Sequence, residues 1–307
     1  MVSEMAKKQG YRKKKRERIV SLLFFLPVHK QAAVDHWLRG RKQFREIKRA
    51  DFVIVSPPKC GRTWLRTTLS GFFQARFGIP QGELLGYDNF HRLNPQVPRI
   101  RFTDDRYVSD YTRHRDSKID YYDKRVILLI RDPRDVAVSN YFQWKNTVNP
   151  YKKKFHKIPH EPDKVSVFDY AMNEDYGVPR TVRFLNAWEQ ELEKTKAHLL
   201  IRYEEMRADP QGVLKSIASF MEISASDDQI AQAVDYASFE NMRKIEKSND
   251  PATGSRRLMP KDLNNPESFK VRRGKVGGYR DYFSAEELAV INEFIASNLA
   301  ASYGYKP

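Results

Sequence analysis

The chain has 307 residues, 40% hydrophobic and 12% aromatic, with a formal net charge of +16 and a single cysteine. That is enough sequence for one large domain with a buried core; its single cysteine excludes a disulfide-stapled fold and any CxxC metal site. The charge is concentrated at one end: residues 1–49 hold 15 Lys and Arg against 4 Asp and Glu, +11 of the +16, whereas a nucleic-acid binder would spread it along a folded face.

In residues 7–28 a basic block runs directly into Ile19–Val28, an almost unbroken apolar run. Ten residues span about 15 Å as a helix, half the bilayer core, so the run is too short to cross a membrane. Three readings stay open. The run is a helix docked on the domain, a peripheral element whose cations meet anionic lipid at the inner membrane surface, or a secretory signal, for which no A-x-A cleavage site follows. The lone cysteine asks for no oxidising compartment, so the expected location is cytoplasmic.

From Asp51 the pattern becomes βα, which places a boundary between a basic extension, 1–49, and a domain, 50–307. A β-branched strand at 52–56 leads through "PPKCGR" into a helix over 63–77, where Trp64, Leu65, Leu69, Phe72 and Phe73 recur at three and four residues. A short strand follows near Arg99–Thr103. "VILLI", 126–130, reads as a central parallel strand because it is apolar on both faces. Pro133 then opens a helix. A basic surface loop covers 145–163, and helices follow at 165–174 and 179–195. "HLLIRYEEM", 198–206, reads as a strand running into a helix, with further helices at 210–222, 226–236 and 238–247. The irregular segment 248–283 carries "FKVRRGKVGGYR", and Ser284 with Glu287 makes a capping box for a last helix. Alternating strands and helices predict one three-layer α/β domain with a P-loop-like parallel sheet flanked by helices.

Two strand-to-helix corners carry chemistry. In the first, Lys59, Gly61 and Thr63 place a cation, a close-approach glycine and a hydroxyl where a helix start exposes free N–H groups. It reads as a phosphate site or as an ordinary turn; it is not a Walker A loop, since Lys59 precedes the glycine. Trp64 suits the core and could equally lie against a base. In the second corner, "RDPRDVAVS", Arg131 ends the central strand and Ser139 lies 80° past two helical turns, so both line one rim if the helix crosses the strand end. Asp132 and Asp135 are expected to pair with Arg134 and Lys124.

"PPKCGRTW" resembles the PKSGTTW loop of the PAPS-dependent sulfotransferases, and "RDPRDVAVS" that family's RNPKDVAVS element. "FKVRRGKVGGYRDYF" is similar to its RKG-x-x-GDW segment and "LIRYEEM" to its strand with a nucleotide-contacting Tyr; all four fall in the family's order, across about residues 51–300. The resemblance implies a donor, 3′-phosphoadenosine 5′-phosphosulfate (PAPS), and no metal. It implies that Lys59, Gly61, Thr63 and Trp64 bind the 5′ end and adenine, that Arg131, Ser139, Arg272, Arg273 and Gly274 bind the 3′-phosphate, and that Tyr203 and Phe239 lie on the adenine side. Cys60 and Arg62 stand where the family usually has Ser and Thr. Cys60 is expected to act through its backbone N–H, and Arg62 to add charge toward the phosphosulfate or an anionic acceptor. Ala237 replaces the Thr of a family Thr-Ser-Phe segment.

Sulfuryl transfer needs a cation at the leaving oxygen, the role implied for Lys59, and a base for the acceptor. The family's K-T-H stretch is here Phe102-Thr103-Asp104, so Asp104 is the candidate base, with Asp105 and His91 as rivals. For efficient proton removal at neutral pH, burial would have to raise the pKa of Asp104. The expected function is transfer of a sulfuryl group from PAPS to a hydroxyl or amine of an acceptor whose class the sequence does not give. The alternatives are a P-loop nucleotide kinase and a non-enzymatic basic adaptor for membrane or RNA.

Overall fold

The computed structural model describes residues 16–147, 164–248, 258, 260 and 262–305. In chain order the elements are helix α1 (Val28–Lys48), strand β1 (Phe52–Val55), α2 (Arg62–Phe77), α3 (Asn89–Leu93), β2 (Ile100–Thr103), α4 (Arg106–Thr112), β3 (Arg125–Ile130), α5 (Pro133–Thr147), α6 (Val167–Met172), α7 (Val178–Leu192), β4 (Ala197–Arg202), α8 (Tyr203–Ala208), α9 (Pro210–Phe220), α10 (Asp227–Tyr236), α11 (Phe239–Ser248) and α12 (Ala285–Asn298). The strands form one sheet, parallel throughout, in the order β2-β1-β3-β4. The expected three-layer architecture is therefore what the chain adopts; the predicted elements lie close to their expected bounds, whereas α1, α3 and α4 have no predicted counterpart. Of the loop expected over 145–163, Thr147 still belongs to α5, and 148–163 lies outside the described residues.

Strand parity makes the layers. Phe52, Ile54, Ile127 and Leu129 face one way and pack with Leu65, Leu69, Phe72 and Phe73 of α2. Val53, Val55, Val126, Leu128 and Ile130 face the other way and pack with Leu185 and Trp188 of α7. A strand apolar at every position is stable only when both faces are covered. The chain leaves β1 toward β2 on one side and returns as β3 on the other. The crevice between the carboxyl ends of β1 and β3 is thus a topological switch point, where ligands bind in open α/β sheets.

α1 lies on the domain. Gly40 makes the crossing with α4 possible, because a Cβ there would stand 2.0 Å from the Tyr107 carbonyl oxygen. Around it, His36 meets Asp110 at 2.8 Å, Arg101 pairs with Glu46 at 2.8 Å, and the Thr103 hydroxyl donates to Gln43 Oε1 at 3.1 Å. Ahead of it, residues 16–21 are helical and 22–26 turn back. The turn is tied by Arg16 to buried Asp35 at 2.9 Å, while Leu22, Phe24 and Phe25 stay 70%, 80% and 69% exposed. No described helix is long and apolar enough to cross a membrane.

Candidate active site

The β1–α2 loop sits against β3. Ser56 N–H still donates to the Thr103 carbonyl at 3.1 Å, after which the chain leaves the sheet. Lys59 takes a left-handed backbone (φ 70°) and so does Gly61 (φ 89°), which caps α2 without any side-chain bond. The Gly61 position also requires the absence of a side chain, since a Cβ would lie 2.7 Å from the Tyr203 ring. The first N–H groups of α2 therefore lack intrahelical acceptors, and no carboxylate stands in that first turn. The corner is built to accept an anion.

These groups open onto a cavity of about 420 Å³, within the size range of nucleotide sites. Lys59, Gly61, Arg62, Thr63 and Trp64 line it from the first corner, and Arg131 and Ser139 from the second. Tyr203 and Phe239 form an aromatic side, and Arg272, Arg273 and Gly274 close it from the late loop. Arg131 and Ser139 both line the cavity, so they share one rim as the second corner's reading needed. Trp64 meets Tyr203 edge to face at 5.7 Å, and the Arg131 guanidinium lies 4.0 Å over the Tyr203 ring. Gly274 (φ 61°) lets its loop approach the Phe239 ring, which a Cβ would meet at 3.1 Å.

The cavity is strongly cationic. Burial, and then the charges of Lys270, Arg131 and Arg272, push the Lys59 ammonium down to about 7. Arg131 donates to the Lys59 and Lys275 carbonyls at 3.4 and 3.1 Å, while its buried Nε has no partner. Such a cluster is costly until an anion enters it. Among the described residues no group of three His, Cys, Asp or Glu is placed to hold a metal ion.

The Cys60 side chain does not line the cavity: it is fully buried in the core beneath the loop, where burial pushes the thiol up to about 12. Only its backbone could reach a ligand, the one role expected of it. Other expectations change. Asp135 pairs with Arg131 at 3.2 Å rather than with Lys124, which bonds the Lys48 carbonyl and Asp123; Asp132 does pair with Arg134. Asp104 follows the end of β2, beside the first corner but outside the cavity lining. Burial opposes its charge, yet Arg106, Arg62 and Arg180 outweigh burial and hold the carboxyl below its ordinary 3.8. The upward shift that an efficient base needs is absent. Asp105 is committed to structure, taking the Tyr121 hydroxyl at 2.7 Å and the Lys118 ammonium at 2.9 Å. His91 is bonded through Nδ1 to the Val97 carbonyl at 2.8 Å and does not line the cavity.

Sequence reasoning missed Lys270, Arg207, Arg66 and Met242, all of which line the cavity. Lys270 stands at the head of the quoted basic segment, and Arg207 and Arg66 lie one helical turn after Tyr203 and Arg62, so helical spacing could have found them.

Residues 49–303 match the sulfotransferase domain family. The chain belongs to that family. Sulfotransferase 2A6 of Rattus norvegicus is 26% identical over 278 residues, covering 85% of this chain and 87% of its own. Cytosolic sulfotransferase 16 of Arabidopsis thaliana is 26% identical over 273 residues, 83% and 77% of the two chains. In fold, the chain is similar to mouse sulfotransferase SULT7A1 complexed with PAP, with a TM-score of 0.55, 22% identity and 84% and 89% coverage. It is likewise similar to retinol dehydratase in complex with androsterone and PAP, with a TM-score of 0.53, 15% identity and 84% and 85% coverage. As a sulfotransferase, the protein needs an activated sulfuryl donor and an acceptor.

Proposed function

We propose that the cavity takes PAPS and that the protein passes its sulfuryl group to an acceptor hydroxyl or amine. One observation carries this reading: two anion corners on adjacent parallel strands open into a single cavity between Trp64, Tyr203 and Phe239. A ligand with an aromatic base and phosphates at both ends fits that layout, and ATP has none at the 3′ position. PAP, the compound named with the structural relatives, is what PAPS becomes once its sulfuryl group has left.

Lys59, Gly61, Thr63 and the N–H groups that open α2 hold the 5′ end. Arg131, Ser139, Arg272, Arg273 and Gly274 hold the 3′-phosphate, for which planar guanidinium forks are suited. Bound there, the donor supplies a sulfuryl group on an acidic leaving oxygen. Lys59 meets the charge that develops on that oxygen as its bond to sulfur breaks and a new bond forms from sulfur to the acceptor's oxygen or nitrogen. Arg62 lines this corner and its charge also acts on Asp104. Asp104 stays ionised at neutral pH and takes the acceptor's proton as a weak base. A second role is compatible with the same low pKa: Asp104 could orient a cationic acceptor by its charge.

The extension outlined by charge at 1–49 has two parts in this reading. Residues 28–48 belong to the body, and the exposed Leu22, Phe24 and Phe25 behind the basic stretch 7–18 form a peripheral contact with an anionic membrane, on the cytoplasmic side. Basic residues next to a small apolar tip are the combination that binds such surfaces.

Labelled PAPS and labelled ATP, each with and without magnesium, test the donor against lipid, sugar, phenol and amine acceptors. Label transfer from PAPS alone, independent of magnesium, is expected. Transfer from ATP would restore the kinase alternative, and nucleotide binding by neither donor would leave only the adaptor.

A further inference from the structure

Two carboxylates stand where an apolar side chain would serve packing better. α11 presents Phe239 and Met242 to the cavity, and one turn further on the same stripe comes Glu246, 0% exposed. In the first turn of α5, Asp135 is 3% exposed. Burying a carboxylate costs several kcal/mol unless hydrogen bonds and opposite charge offset it, and such breaks in a core pattern mark functional positions.

Both carboxylates spend their oxygens on backbone N–H groups of one loop. Glu246 accepts from Lys270 N at 2.5 Å and from Val271 N at 2.9 Å. Asp135 accepts from Gly277 N at 2.9 Å and Tyr279 N at 3.0 Å, and pairs with Arg131 at 3.2 Å. Five residues, 272–276, are left between these pins, and the first four, Arg272, Arg273, Gly274 and Lys275, line the cavity. Asp135 thus joins the arginine of the second corner to the far end of the loop, and Glu246 fixes the near end to the helix that carries Phe239. The negative charge of Glu246 also acts on Lys59, raising its proton affinity against the surrounding cations.

We propose that Asp135 and Glu246 are positioning residues that pin both ends of the 270–279 loop, so that Arg272 to Lys275 form a preset cradle for the 3′-phosphate. This rests on the donor reading given above. Preset donors spare the ligand the entropy of ordering a loop. Because the pins grip backbone, they act whatever side chains the loop carries.

The test compares adenosine 3′,5′-bisphosphate with adenosine 5′-phosphate, which lacks the 3′ group, by calorimetry. The wild type should favour the bisphosphate strongly; equal affinities would overturn the donor reading itself. Glu246→Gln and Asp135→Asn should each weaken the bisphosphate by about tenfold or more, the effect of about 1.4 kcal/mol, and the 5′-phosphate by less than about threefold. Combining Glu246→Gln with Arg272→Ala should add little to Arg272→Ala alone. Equal losses for both ligands, or no loss for either, would overturn the positioning role while leaving the donor reading intact. Hydrogen exchange on the wild type decides the matter even if the variants misfold: the Val271 and Tyr279 amides should be protected without nucleotide, and free exchange there would overturn the proposal.

Discussion

Lys59 combines two demands that pull its proton in opposite directions. Burial, and then the cations around it, lower the pKa to about 7, whereas phosphate oxygens beside it would restore the charge. At pH 8 the empty site holds Lys59 mostly neutral, so binding adenosine 3′,5′-bisphosphate should take up close to one proton. Affinity should therefore fall as pH rises from about 7 to 9. Calorimetry in two buffers of different ionisation enthalpy reads the uptake directly, and Lys59→Arg, charged throughout, should abolish it. The stability of the empty protein moves the other way. Between about 7 and the ordinary lysine value of 10.5 the unfolded chain binds the extra proton, so stability rises with pH across that window. Lys59→Ala should chiefly lower turnover, and Arg131→Ala chiefly the affinity for the bisphosphate, because charge changes at one and not at the other. Asp104→Asn should lower turnover by about 10²–10⁴ with bisphosphate affinity unchanged if the carboxylate is the base. Its arginine neighbours keep its pKa below 3.8, so the wild-type rate profile should show no inflection from it between pH 5 and 8. If Asn instead raises KM for cationic acceptors alone, Asp104 orients the acceptor.

Among the elements, α1 is the one whose place could not be read from its own pattern. Its charge assigns it to a tail, yet Ile47 is fully buried in the core on the α7 side of the sheet, and Gly40 meets the α4 backbone. A chain beginning at Val28 should melt close to the full-length protein. One beginning at Ala50 should lose several degrees or fail to fold, as circular dichroism melts would show. Gly40→Val should be destabilising by about 1–3 kcal/mol in urea titration, because the neighbour it meets is backbone and cannot yield. α2 is the opposite case. Its apolar spacing and its strand–loop–helix setting are local, so its start is legible to within one residue: 63 expected, Arg62 observed.

At the scale of the whole molecule, the exposed Leu22, Phe24 and Phe25 are not among the residues that line the cavity. Vesicle sedimentation should therefore separate from catalysis. Full-length protein should bind anionic vesicles, weakly at high salt, and Phe24→Ser with Phe25→Ser should release it while PAPS turnover on a water-soluble acceptor stays unchanged. Equal binding by the double variant would remove the membrane contact.

The sequence by itself determined what neighbouring residues can encode: the alternation that makes β1 and β3 buried parallel strands, the two corners with Lys59 and Arg131, and the order of motifs that places the chain in its family. Periodicity and turn chemistry act over a few residues, so they survive in one dimension. Only the tertiary structure decided that Asp135 serves Arg131 and Gly277, that Glu246 reaches Lys270, and that Arg106, Arg62 and Arg180 hold Asp104 ionised. A pKa or a pin is a property of charges brought together across tens or hundreds of residues. Desolvation and Coulomb energy depend on those distances through space, and chain position does not set them.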